Sequence, residues 1–266
     1  MPIYYYYKFL EEKSERDYFY QGDKMKIIEK MKKKALDNKG EGAVTIAFLG
    51  DSVTQGCFEI YPKGEEIGVV FDNEHAYHNC LCKLLAYLYP SVPVNVIKAG
   101  ISGDNAPHGL KRLEKDVLFY KPDLMVVCFG LNDASQGVEG LEQYKNALAG
   151  IFAKVKETNT EIIFMTPNMV NTYISPFVPE GLCKDVAEMM NQIQNQGIMD
   201  LYMDTAREVC AEYGVKLCDC YSKWKILAEN GVDTTALLSN HINHPTREMS
   251  WLFAASLVEC MFQNEF

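Results

Sequence analysis

No stretch of this sequence holds the roughly 18 consecutive apolar residues of a membrane-crossing helix, so no membrane span is expected. Positive charge is in short supply. The 26 Lys and Arg face 36 Asp and Glu, and a net charge of −10 excludes a broad basic face for nucleic acid. A small neutral or cationic substrate stays compatible with that balance. The start, Met1-Pro2-Ile3-Tyr4, lacks the basic segment and apolar run of a signal peptide. The nine cysteines lack both an even count and a framework spacing, in a chain of 266 residues that is long enough to fold without staples. Reduced thiols in a cytoplasmic protein are therefore expected. No C-x₂-C pair accompanies His75, His78, Cys80 and Cys82, so helix histidines and buried thiols are expected there rather than a metal site. Cys218 and Cys220 read as a second pair of buried thiols. Neither G-x-G-x-x-G nor a phosphate-binding loop follows the first strand, which argues against a nucleotide or flavin binder and implies no cofactor. Internal repeats, low-complexity tracts and clear linkers are also missing. The two tryptophans, Trp224 and Trp251, read as packing residues.

What is present is a core and an alternation. Apolar residues make up 48% of the chain, enough for one sizeable core. Residues 44–49 are mostly apolar without alternation, the pattern of a strand covered on both faces. Gly50 then permits a sharp turn into Asp51-Ser52. Further strands are expected over 94–99, 123–129, 161–165 and 215–218. Helices are expected over 74–89, 107–119, 141–155 and 199–213. A last helix over 247–262 would be capped by Thr246 after Pro245. Residues 1–42 read as an accessory segment, with an aromatic run at 4–7 and a lysine-rich helix over 24–36, and 43–266 read as the main domain. Residues 57–73 read as an irregular connection. Residues 168–198, with Tyr173 and Phe177, read as a long connection suited to a lid or to shaping a site. Repeated strand–helix alternation predicts an α/β fold, a parallel sheet of about five strands with helices on both faces. Right-handed crossovers would then gather the carboxyl ends of the strands on one edge.

That edge would collect Gly50-Asp51-Ser52, Gly100-Ile101-Ser102-Gly103-Asp104 and Gly130-Leu131-Asn132-Asp133. A fourth polar cluster, His241-Ile242-Asn243-His244-Pro245, precedes the last helix. Taken singly, each has a plainer role: a cap for Asp51 and Ser52, a turn glycine for Gly103, a turn for Asn132-Asp133, a packed histidine for His244. Together they hold what acyl transfer requires. Ser52 would be the nucleophile and His244 its base. The amides of Ser52 and Gly103 with the side chain of Asn132 would form an oxyanion hole. Asp51 and Asp133 would hold loops rather than move protons.

These four blocks, in this order, resemble the SGNH hydrolases, the GDSL-like lipase, acylhydrolase and esterase family. Gly50-Asp51-Ser52 matches the nucleophile block. Ile101-Ser102-Gly103-Asp104 matches the block whose glycine lines the oxyanion hole. Gly130-Leu131-Asn132-Asp133 matches Gly-x-Asn-Asp, and His244-Pro245 the closing block with the base. The resemblance covers about residues 44–262. It implies a flavodoxin-like three-layer α/β/α sandwich and metal-free hydrolysis of a small-molecule ester. Small acyl groups, acetyl first, on carbohydrates are the expected substrates. A lipid or thioester substrate, or a catalytically decayed ligand-binding module on the same scaffold, is the alternative. One position departs from the pattern: the family's aspartate, three residues before the base, is His241 here. Something else must orient His244. A backbone carbonyl, Asn240, Asp233 or, as a poor substitute for a carboxylate, His241 itself could, with a Ser52–His244 dyad steadied by a carbonyl as the favoured reading. An ordinary imidazole, with a pKa near ~6.5, would make activity fade below about pH 6.

Overall fold

In a computed structural model the chain is described over residues 25–263; the aromatic run at 4–7 lies outside them. The sheet is built on β1, Val44–Gly50, in which every residue but Thr45 is buried. Such a strand needs neighbours on both edges and layers on both faces, and it has them. The other strands are β2 (Cys57–Lys63), β3 (Glu66–Phe71), β4 (Val94–Gly100), β5 (Leu124–Cys128), β6 (Glu161–Met165) and β7 (Lys216–Cys218). β1 and four of these form one parallel sheet in the order β4-β1-β5-β6-β7, while β2 and β3 pair apart as an antiparallel hairpin.

Counting only the main sheet, that order is 2-1-3-4-5, the flavodoxin-like arrangement. The chain leaves β1 in one direction to reach β4 and then crosses back to β5, so the order reverses at β1. Right-handed crossovers put the intervening helices on opposite faces. Tyr77–Leu88 lies on one face and packs with Ser250–Phe262. Ala106–Asp116, Leu141–Lys156 and Ile198–Tyr213 pack in series on the other. The helix Lys26–Leu36 sinks Ile27, Ile28 and Met31 into the same core. Its first amides, from Lys26 and Ile27, donate to the Glu161 carboxylate at 2.7 Å each, a favourable place for an anion. Among the described residues no helix is long and apolar enough to cross a membrane.

Several expectations change. Residues 57–73 are a β-hairpin rather than an irregular connection, closed at Gly64 with φ +63°. Half of 168–198 is helix, Leu182–Asn195, with Ala187, Met190 and Ile193 on its buried side. The helix expected from 74 starts at Tyr77, because the Asp72 carboxylate takes the His75 amide and ring and turns the chain first. The closing helix begins at Ser250, and Thr246 instead caps the preceding turn, accepting from the Met249 amide at 3.4 Å. Cys220–Glu229 is a helix that the pattern did not announce; Asp219 caps it through the Ser222 amide, and its cysteine, tyrosine and tryptophan are modest helix formers. Trp224 is fully buried, but Trp251 is 40% exposed. Cys218 and Cys220 are buried thiols with sulfurs 3.8 Å apart.

Candidate active site

The edge where the sheet order reverses carries the polar clusters. β1 delivers Ser52 as the first residue of a single helical turn, Ser52–Gln55. Asp51 caps that turn by accepting the Val53 amide at 3.0 Å. The turn sits directly on the strand ends. A Cβ on Gly50 would meet Thr54 Oγ1 at 2.1 Å, and one on Gly100 would meet the Gln55 amide nitrogen at 2.3 Å. Only glycine at both positions allows this approach.

His244 arrives from the far end of the chain. Its Nε2 lies 3.0 Å from Ser52 Oγ, and its Nδ1 lies 2.9 Å from the Phe58 carbonyl oxygen on β2. A carbonyl only accepts, so Nδ1 carries the proton and donates it. Nε2 is then left with a lone pair, which accepts from the Ser52 hydroxyl. Ser52 is 3% and His244 5% exposed. Burial drives the His244 pKa down to about 4, opposed by the Phe58 hydrogen bond and the charge of Glu59. The imidazole is neutral at pH 7, and the ordinary value near 6.5 expected from sequence does not hold.

Beside the carbonyl, Asn240, His241 and Asp233 are the orienting groups expected from the sequence. Asn240 works on the backbone of the loop, not on the ring. Its Oδ1 accepts the amides of Ile242, Asn243 and His244 at 3.0, 2.9 and 3.0 Å. Asn168 Nδ2 donates to the Asn243 carbonyl at 2.9 Å, and the Asn171 amide donates to that of Ile242 at 2.8 Å. His241 sits in the left-handed region with φ +54°, its ring 5.5 Å from that of Phe177. Asp233 accepts from the Tyr173 hydroxyl at 2.8 Å and the Ala236 amide at 3.1 Å.

The remaining two clusters end on the strands flanking β1. The Ile101 amide donates to the Gly50 carbonyl at 3.1 Å, joining the β4 loop to β1. Gly103 is exposed with φ +77°, and nothing among the described residues lies within 4 Å of a Cβ placed there, so the backbone angle rather than crowding calls for glycine. One Asn132 amide hydrogen goes to the Asp104 carbonyl at 2.8 Å, which fixes the direction of that side chain. Asp133 accepts the Ala106 amide at 2.9 Å. Burial raises the Asp51 and Asp133 carboxyls to about 7 each, and each has one buried oxygen without a hydrogen-bond partner among the described residues.

Arg112 was missed in the sequence. It donates to Asp104 Oδ2 at 2.6 Å, the Ala99 carbonyl at 2.6 Å and the Gly50 carbonyl at 2.9 Å, tying β1, β4 and the β4 loop together. Its only signal was an arginine within the helix Ala106–Asp116 that follows Asp104. His75 is paired to Asp72 at 2.8 Å, and His78 is buried against the rings of Phe48 and Tyr77.

Residues 48–252 match the model of the GDSL-like lipase/acylhydrolase family. An acetylxylan esterase of Geobacillus stearothermophilus is 30% identical over 132 residues, 46% of this chain and 58% of that protein, so the alignment spans less than two thirds of the relative. The crystal structure of Axe2, an acetylxylan esterase from the same organism, superposes with a TM-score of 0.62 at 22% identity, covering 83% of this chain and 95% of that one. An alpha/beta hydrolase enzyme, LAE5, from the metagenome of Lake Arreo gives 0.61 at 20% identity, covering 83% and 96%. At such identities the two structures speak for the fold alone.

Proposed function

This chain belongs to the GDSL-like lipase/acylhydrolase family, and from that premise we propose that it is a serine ester hydrolase removing small acyl groups, acetyl above all, from carbohydrates. The observation that carries the reading is the relay of 3.0 Å from Ser52 Oγ to His244 Nε2 and 2.9 Å from Nδ1 to the Phe58 carbonyl. Neutral His244 accepts the hydroxyl proton as Ser52 attacks the ester carbonyl. The Nδ1–H bond to Phe58 O tightens as the ring becomes charged. The oxyanion is held by the amides of Ser52 and Gly103 and by the second hydrogen of the Asn132 amide. His244 returns its proton to the leaving alcohol, and water, deprotonated at the same nitrogen, releases the acyl group. Because the ring has an acceptor on Nδ1, the missing carboxylate does not favour a decayed binding module.

The acetyl and sugar assignment rests on the acetylxylan esterase relative and on the polar loops around Ser52. Nine unpaired cysteines, eight of them buried, support action in a reducing compartment. A fluorophosphonate probe should label Ser52 and leave Ser52→Ala unlabelled. The chain should also release acetate from acetylated xylo-oligosaccharides faster than it cleaves long-chain esters. An unlabelled serine would reject the esterase, and a preference for long acyl chains would reject the carbohydrate substrate.

A further inference from the structure

The carbonyl that receives His244 Nδ1 belongs to a hairpin outside the main sheet. A carboxylate on the histidine's own loop would move with the ring. Phe58 O stays aligned only if the hairpin is fixed to that loop. The link is Arg247, three residues after His244. Its Nη1 and Nη2 donate to Glu59 Oε1 and Oε2 at 2.5 and 3.1 Å, a two-pronged grip on the residue after Phe58. Its Nε donates to Asp72 Oδ2 at 2.7 Å, just past the other end of the hairpin. The guanidinium carbon lies 4.4 Å above the centre of the Phe58 ring. The same Asp72 oxygen lies 2.8 Å from His75 Nδ1, and its other oxygen accepts the His75 amide at 3.3 Å.

We propose that Arg247, with Glu59 and Asp72, is the positioning device that keeps the Phe58 carbonyl against His244 and so takes over the work of the absent carboxylate. This rests on the esterase reading above. Arg247 bonds Glu59 and Asp72 rather than Ser52 or the His244 ring, so its loss should act through the placement of the base.

The test compares the parent with Arg247→Met, Arg247→Lys and Glu59→Gln on p-nitrophenyl acetate. In Arg247→Met, kcat should fall roughly 10–100-fold with KM within about threefold, since a base displaced by about 1 Å slows the step without weakening binding. Arg247→Lys keeps the charge but not the fork and should fall between parent and Arg247→Met. Glu59→Gln should lose roughly 3–10-fold in kcat, because a neutral acceptor keeps part of the grip. A folded Arg247→Met with parental kcat, or with raised KM alone, overturns the clamp. If Arg247→Met loses its near-ultraviolet dichroism, the milder pair decides. A kcat within twofold of the parent in both overturns the clamp, and a kcat-only loss in either supports it. The parent is labelled with the fluorophosphonate first. Failure there rejects the esterase reading, whereas a labelled, active parent beside an unaffected clamp variant rejects only the clamp.

Discussion

The serine side and the histidine side of the site are held by opposite means. Under Ser52 lie three acidic residues, Asp51, Asp104 and Asp133, each bonded to an amide or an arginine that fixes a strand end. Around His244 no carboxylate among the described residues bonds the ring. A carbonyl receives Nδ1, and Asn240 winds the loop from behind. Carboxylates therefore scaffold the ground under Ser52, the proposed nucleophile, and stay away from the ring of His244, the proposed base. A base without a carboxylate has less help in bearing a charge, so its alignment matters more than its electrostatics.

The widest gap between the two sides should appear on removing the base itself. His244→Ala is expected to lower kcat by roughly 10³–10⁴ or more while leaving the fold intact, as loss of a triad member does elsewhere. A loss under tenfold on acetylated sugar would show that Ser52 finds its base elsewhere. The serine side should respond in stability. The Asp133 carboxyl, raised by burial from 3.8 to about 7, is favoured in its neutral form in the folded chain. Its contribution is therefore full below about pH 4 and is lost as pH rises through 7. Asp133→Asn removes this dependence, so melting the two proteins from pH 4 to 8 should show the variant gaining on the parent by up to about 4 kcal/mol. A constant difference across that range would mean that Asp133 titrates normally.

The base should reveal its burial in the acid limb. With His244 at about 4, kcat/KM should hold to near pH 5 and halve close to pH 4, where an ordinary imidazole would already have lost roughly 30-fold at pH 5. A midpoint near 6.5 would mean that the ring is solvated in the working enzyme.

The strand-borne half of this comparison was readable in the sequence, whereas the loop-borne half was readable only as His244 and an unplaced carbonyl. Unbroken apolar runs such as 44–49 and 123–129 announce central strands, and handedness then gathers Ser52, Gly103 and Asn132 on one edge without any contact being known. The hairpin gave no such signal. Its residues alternate poorly around Pro62, and its pairing is to itself, so nothing in 57–73 tells that Phe58 meets a histidine 186 residues away. A carbonyl carries no residue identity, which is why an acceptor on the backbone was nameable as a kind but not as a position. The helix at 182–195 was hidden because the irregular Pro-rich stretch before it set the tone of the whole segment.

The smallest effect is expected at the position where the family keeps its aspartate. His241 has φ +54°, a conformation that asparagine tolerates better than histidine. Its ring packs beside that of Phe177, and the Nδ1 proton of His244 already goes to Phe58 O. If orientation of the base comes from the hairpin, His241→Asn removes a ring contact and relieves backbone strain, two terms of opposite sign and under about 1 kcal/mol each. Stability should stay within about 1 kcal/mol of the parent by urea denaturation, and kcat within about threefold. A tenfold fall in kcat with the fold intact would return the orienting role to residue 241. The contrast drawn between the two sides would then narrow to one of side-chain type, with an imidazole on the base's own loop doing what the carboxylate does elsewhere.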